Sequence, residues 1–518
     1  MAGVTDVSRA GWDCVVVGSG LGGLTAAALL AKQGQRVLVC ESHSIPGGAA
    51  HSFHRQGFTF DSGPSFYCGL ADPQGRNPLR AVLLLLGEAV TAVPYDPLGY
   101  YHLPEGMLPI HGDLERYGAA IAQINPQAAA EFARLSRRLL QLYAPLRDIP
   151  TLALRADWQL MRTLLLRYPL AALKLLPRLR DLGRSMGDLV DETVRDPWLR
   201  RLLDLECFLL SGLTAQETVA PEMAAMFGER SHAAIDYPLG GSGALVAALV
   251  RGLKKFGGEL RLSTHVDQIL VKNNRTWGVR LRSGDILHAP TVISNATVWD
   301  TYRDLLQPSD LPTDYRHTQL STPAVDSFMH LHLGIRAEGL DALAIHHVVV
   351  HSAARPLAAP GNTCMISIPS VLDPDLAPAN HHTIHAYTLE SPEGWAKDET
   401  YAEKKRQRAE PLFRALEKVI PDIRERIVLE LIGTPLTHQR YLRRERGTYG
   451  PAIAAKQGRF PSCKTPIAGL YRVGDSTLPG IGVPAVVASG ILCANHLVDW
   501  SASTALLDEV PLAEEGLP

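Results

Sequence analysis

No Cys-x-x-Cys pair occurs in this sequence; its seven cysteines, Cys14, Cys40, Cys68, Cys207, Cys364, Cys463 and Cys493, are scattered along the chain. Such spacing excludes a zinc ribbon and fits reduced thiols packed as small hydrophobes better than a disulfide framework. Charge of one sign is also missing. A net charge of −2 over 518 residues leaves no basic excess to displace counterions from a nucleic acid. No stretch offers the ~18 uninterrupted apolar residues that a membrane-crossing helix requires. The residues ahead of Cys14 include Asp6, Arg9 and Asp13 and no apolar run, so no secretory leader and an intracellular location are expected. There is no Gly-x-Ser-x-Gly elbow, no His-Glu-x-x-His and no P-loop, which removes the common hydrolase and NTPase chemistries.

What is present starts at Cys14. The apolar run Cys14-Val15-Val16-Val17 enters Gly18-Ser19-Gly20-Leu21-Gly22-Gly23, and a second run, Val37-Leu38-Val39-Cys40, ends on Glu41. Strand, glycine turn, helix and second strand make the βαβ unit that binds dinucleotides. Gly18 permits the tight turn, Gly20 lets backbone N–H groups approach a pyrophosphate, and Gly23 lets the helix pack close to the sheet. The helix N-terminus turns its partial positive charge to the phosphates. Glu41, at the end of the second strand, is placed to accept hydrogen bonds from a ribose and to repel a 2′-phosphate. Gly47 and Gly48 follow in a second glycine turn and form a candidate second wall of the site.

At this length more than one packed unit is expected. The pattern is helical from Leu114 to about Met226. Alternation returns at Glu259 to Val266, Gly278 to Leu281 and Thr291 to Ser294, which reads as strands rejoining the first sheet. Strand-like pieces recur between Ser327 and His385, a helix follows at Ala402 to Ile420, and Leu470 to Val473 reads as a strand before a closing helix from Ala485 to Asn495. A cofactor domain built from residues 1–90, 226–300 and 426–518 is expected, with a helical insertion at 91–225 and a mixed sheet-and-helix substrate domain at 301–425. Gly240-Gly241-Ser242-Gly243 follows a poor strand, so a second nucleotide domain is not expected.

Further segments occur in order: Pro46-Gly47-Gly48, Phe60-Asp61-Ser62-Gly63, Gly433-Thr434-Pro435, Gly447-Thr448-Tyr449-Gly450-Pro451 and Gly474-Asp475-Ser476-Thr477-Leu478-Pro479-Gly480-Ile481-Gly482-Val483-Pro484. Together with the N-terminal unit they resemble the FAD-dependent phytoene desaturase and carotenoid isomerase superfamily over nearly the whole chain. The resemblance implies an α/β fold with a Rossmann-like FAD-binding domain of the glutathione-reductase or amine-oxidase type, assembled from discontinuous segments around an inserted α+β substrate domain. It implies FAD as cofactor, Gly474 and Asp475 at the ribityl or phosphate part of the flavin, and Val266 with its backbone at the adenine. One departure stands out. Many desaturases and amine oxidases with this fold carry arginine after the double glycine, whereas here Gly48 precedes Ala49-Ala50-His51, as on the carotenoid isomerase and retinol saturase side.

The chemistry implied is that of the flavin, with a hydrophobic polyene as substrate: isomerisation of a poly-cis carotene first, desaturation or saturation of a related polyene second. A non-catalytic isoprenoid carrier is a third reading, in which the phosphate turn, Glu41 and Asp475 would have nothing to hold. The electron donor or acceptor and the catalytic side chains stay open. Nineteen histidines raise the question of a metal. His346-His347 and His381-His382 point to opposite faces of a strand, and His330 and His332 share a face but lack a third ligand at suitable spacing, so no metal is expected. Trp158 to Leu182 sets Leu160, Leu164, Leu165 and Leu175 against Arg162, Arg167, Lys174 and Arg178; Pro169 and Pro177 split it into short helices. It is a candidate docking region for peripheral attachment to a membrane, on its cytoplasmic or thylakoid face.

Overall fold

The computed structural model describes residues 11–510 except 457 and 459; the leader expectation, which rests on residues 1–10, lies outside them. Strand β1 (Cys14–Val17), helix α1 (Leu21–Lys32) and strand β2 (Val37–Cys40) form as read. They sit in a five-stranded sheet in the order Leu470–Arg472, Thr291–Ser294, β1, β2, Glu259–Arg261, and every pairing is parallel. A parallel sheet must be covered on both faces. Cys14 and Val16 point into a core shared with α1 and the helix Val483–Leu497, while Val15 and Val17 point into a second core.

The second core is roofed by a separate three-stranded antiparallel sheet, Val266–Lys272, Arg275–Leu281 and Ile286–His288. This corrects the reading of Gly278 to Leu281 as a strand of the first sheet. Glu259–Arg261 and Thr291–Ser294 do join it. Arg275–Leu281, which contains Gly278, pairs with Val266–Lys272 through the short turn at Asn273 and Asn274, a local hairpin that wins over a distant partner.

The mixed region expected to bind substrate is built on a seven-stranded sheet in the order Ile427–Gly433, Ser327–Arg336, His381–Glu390, Thr363–Ser367, His346–Val350, Gly99–Leu103, Gly106–Ile110. Two of its parts come from segments expected elsewhere. Ile427–Gly433 pairs with Ser327–Arg336 rather than serving the last cofactor segment, and the hairpin Gly99–Ile110 leaves the helical insertion to extend the sheet's far edge. Most of the helices from Leu114 to His232 pack on this sheet, in a core shared with Tyr101, Phe328, Val348 and Met365. Among the described residues no helix is long and apolar enough to cross a membrane.

Candidate functional site

One cavity of about 790 Å³ runs from the glycine turn to the seven-stranded sheet. Gly18, Gly20, Gly22, Glu41, Gly47, Gly48, Val266, Gly474 and Asp475 all line it. Gly23 stands just behind, its N–H donating to Asn295 Oδ1 at 3.1 Å.

The turn is built for close approach. Gly18 has φ +95°, a region an L side chain avoids. A Cβ on Gly22 would lie 2.9 Å from the backbone nitrogen of Gly474, so the bare α-carbon is what lets the C-terminal motif dock against α1. Helix α1 begins after Gly20 with no side-chain cap and no acid in its first turn. Its leading N–H groups and the positive end of its dipole therefore face the cavity free for an anion.

Glu41 is buried and holds the turn together. Oε2 accepts from the Ser19 N–H at 2.8 Å and the Ser19 hydroxyl at 2.6 Å; Oε1 accepts from His43 N–H at 2.7 Å. The Ser19 hydroxyl also receives Gly47 N–H at 3.2 Å, tying both glycine turns to one carboxylate. Oε1, with one close donor, keeps acceptor capacity for a ribose hydroxyl.

Two residues that local sequence patterns do not mark, Asn295 and Arg444, complete this end. Asn295, directly after the strand Thr291–Ser294, reaches both the α1 turn and Gly474, whose added Cβ would meet Asn295 Oδ1 at 3.0 Å. Arg444 donates to Asp475 Oδ2 at 2.6 Å and to the carbonyls of Thr448 at 2.8 Å and Tyr449 at 2.7 Å, joining two motif segments. Ser242, opening the helix Gly241–Lys255, donates to Asp61 through both its N–H (3.1 Å) and its hydroxyl (2.8 Å). Burial pushes the Asp61 carboxyl up, and these hydrogen bonds oppose the shift.

The far end corrects the histidine reading. Antiparallel register sets His332 opposite His385, so His330, His332 and His385 meet from two strands. The third imidazole comes from register, which spacing within one strand does not reveal. Their rings are nearly parallel: His332 and His385 stack at 4.4 Å with a 4° tilt, and His330 Nδ1 lies 2.9 Å from His385 Nε2 in a hydrogen bond. Their ligand atoms lie within 4.8 Å of one another, and in this arrangement two of the nitrogens are joined by that hydrogen bond. The cluster is therefore a hydrogen-bonded aromatic wall. Burial holds His330 and His385 well below the usual imidazole range and brings His332 and His438 down to about 4. The wall is neutral at pH 7.

A doubly wound parallel sheet with an uncapped helix turn, a carboxylate at the second strand's end and a long cavity leading to a separate sheet defines a dinucleotide-binding enzyme of two discontinuous domains. The model of the flavin-containing amine oxidoreductases matches residues 21–498. A prolycopene isomerase from an Oncidium hybrid cultivar is 34% identical over 94% of this chain and 84% of its own length. A neurosporene-forming phytoene desaturase from Cereibacter sphaeroides is 28% identical over 96% of this chain and 95% of its own. Among solved structures, an oxidoreductase from Methanosarcina mazei superposes with a TM-score of 0.62 at 20% identity, covering 92% of this chain and 98% of that one. The chain belongs to the flavin-containing amine oxidoreductase family, and within it to the superfamily of carotenoid isomerases and desaturases. Its cofactor is FAD, and the free helix N-terminus, the bare α-carbons of the turn and Glu41 fit that group.

Proposed function

We propose that the protein is an FAD-dependent carotenoid isomerase that converts a poly-cis carotene while attached peripherally to a membrane. One observation carries the reading: the cavity that begins at the phosphate turn ends among Phe208, Leu209, Phe328, Met365, Tyr387 and Leu389, uncharged side chains suited to a hydrocarbon chain. The prolycopene isomerase similarity agrees with it. Bound FAD in its reduced form supplies the electron density that lets a double bond lose order and re-form with no net redox change.

The chain's own residues do the rest. The aliphatic and aromatic walls bind the polyene and exclude water, and the neutral imidazoles of His330 and His385 present π-faces without a fixed charge that would need solvation. Arg444 pairs with Asp475, so its charge is balanced within the C-terminal motif.

Access from a lipid phase is supported by the short helices Gln159–Arg167 and Pro169–Leu175. There Trp158, Met161, Leu165, Leu170, Leu173 and Leu176 are between 57% and 73% exposed, a contiguous apolar patch of the kind that enters an interface. Such a surface fits the cytoplasmic or thylakoid face of a membrane.

The test is anaerobic incubation of enzyme carrying reduced FAD with a poly-cis carotene in liposomes. The expected result is a trans product of unchanged mass, formed without stoichiometric acceptor. Loss of two hydrogens per new double bond, with turnover that depends on a quinone or dioxygen, overturns isomerisation in favour of desaturation.

A further inference from the structure

The dinucleotide's pyrophosphate brings two negative charges to the glycine turn, and the turn's own segments carry no Lys or Arg: Ala49 and Ala50 follow Gly48, and α1 has no basic residue in its first turns. Five arginines border the cavity, Arg282, Arg303, Arg440, Arg443 and Arg444. Three of them are already paired. Arg282 lies 3.1 Å from Asp267, Arg303 2.5 Å from Glu445, and Arg444 2.6 Å from Asp475. Among the described residues no carboxylate pairs with Arg440 or Arg443.

Both unpaired arginines sit at the end of the helix Pro435–Leu442, Arg440 in its last turn and Arg443 as the residue that ends it, and both line the cavity. Arg443 ends that helix in the left-handed conformation, φ +52° and ψ +41°, where glycine or asparagine would be unstrained. Its N–H closes the helix on the Gln439 carbonyl at 3.0 Å, a bond that glycine would make equally well. The strain therefore accompanies retention of a guanidinium at this point rather than the needs of the turn.

The helix end is tied to the cofactor side. The ring of Tyr441 packs edge-on against His43 at 5.7 Å, and the His43 N–H is held by Glu41. His265, beside Val266 on the same wall, has its imidazole pushed down by burial and then by the charges of Arg282 and Arg443, while Asp267 and, less, Glu41 oppose. Arg443, His265 and Glu41 all line the same cavity.

We propose that Arg443, assisted by Arg440, is the cation that neutralises the pyrophosphate of bound FAD, reaching the glycine turn from the opposite side of the cleft. This requires only that FAD binds, so it stands or falls separately from the carotenoid reading.

The experiment uses the full chain stripped of flavin and titrated with FAD by fluorescence quenching, with ADP and adenosine as competing probes, at low and high salt. Arg443→Gly should weaken FAD and ADP about tenfold, the loss of one charge-assisted contact, and flatten the salt dependence. Adenosine, which has no phosphate, should change less than about twofold. The thermal midpoint of the stripped variant should equal or exceed that of the parent, because glycine relieves the backbone. Arg443→Lys should recover part of the affinity. Arg443→Asn, which also tolerates the left-handed region, should repeat the glycine result if that variant folds poorly. An FAD affinity within about twofold of the parent in Arg443→Gly/Arg440→Gln, or equal losses for ADP and adenosine, overturns the assignment.

Discussion

The carboxylate of Glu41 takes two hydrogen bonds from Ser19, one from its N–H at 2.8 Å and one from its hydroxyl at 2.6 Å. The acid at the end of the second strand therefore shapes the phosphate turn as well as offering acceptors to a ribose. Glu41→Ala should lower FAD affinity by about 1.5–3 kcal/mol, roughly ten- to a hundredfold, since a buried charge-assisted donor pair is orphaned. Ser19→Ala should cost less, because the backbone N–H still donates. Isothermal titration of both stripped variants with FAD checks the order; equal or negligible losses would contradict the dual role.

Asn295 links α1 to the C-terminal motif through the Gly23 N–H. Asn295→Ala leaves that N–H without its partner and removes the side chain packed against Gly20 and Gly474. A destabilisation of about 1–3 kcal/mol is expected, with FAD affinity falling in parallel. Urea unfolding with and without FAD measures both. Asn295→Asp, which keeps an acceptor but adds a negative charge near the phosphates, should retain stability better than affinity.

Acid should weaken the fold through the imidazole wall. His332 has its pKa brought to about 4 by burial, against 6.5 for the free side chain. The unfolded chain then binds more protons than the folded one between those values. The stabilising contribution is complete above pH 6.5 and is lost as pH falls towards 4, at about 1.4 kcal/mol per pH unit for one such group. His332→Phe should flatten the decline by that slope. Chemical unfolding at half-unit steps from pH 7 to 4 reads it, and an unchanged slope would mean that His332 does not titrate on unfolding.

Membrane attachment should depend on the aliphatic patch more than on charge. Several of the basic residues expected to meet lipid are engaged at home: Arg167 pairs with Asp508, Lys174 with Asp148 at 2.8 Å, and Arg162 lies 3.9 Å above the Trp500 ring. Replacing Leu165, Leu170 and Leu173 with Gln should abolish flotation with liposomes, each leucine contributing up to about 1.5–3 kcal/mol when buried. Neutralising Arg167 and Lys174 should have a smaller effect. The opposite order would make the attachment electrostatic.

Motifs that act through their own backbone were legible before any fold was known. Gly18 to Glu41 is a continuous stretch whose turn, helix and strand are dictated locally, and Gly47-Gly48 and Gly474-Asp475 are recognisable for the same reason. The apolar alternation also located the helices around Trp158 and the strands between Ser327 and His385, and the departure at Ala49 was visible at once.

What local sequence could not supply is partnership across distance. His385 meets His330 and His332 through a register of two antiparallel strands, and no spacing rule within one strand carries that information. Ile427–Gly433 joins the substrate sheet because its neighbour is Ser327–Arg336, a choice made by edge availability and packing. Asn295, Arg443 and Arg444 are ordinary residues in sequence and become parts of a cleft only when segments far apart in the chain converge. The sequence by itself determined the dinucleotide turn, since a glycine's conformation and a helix terminus are properties of a few consecutive residues. Tertiary structure alone decided which side chains face the cofactor and which imidazoles stack, since burial and long-range contact belong to the assembled chain.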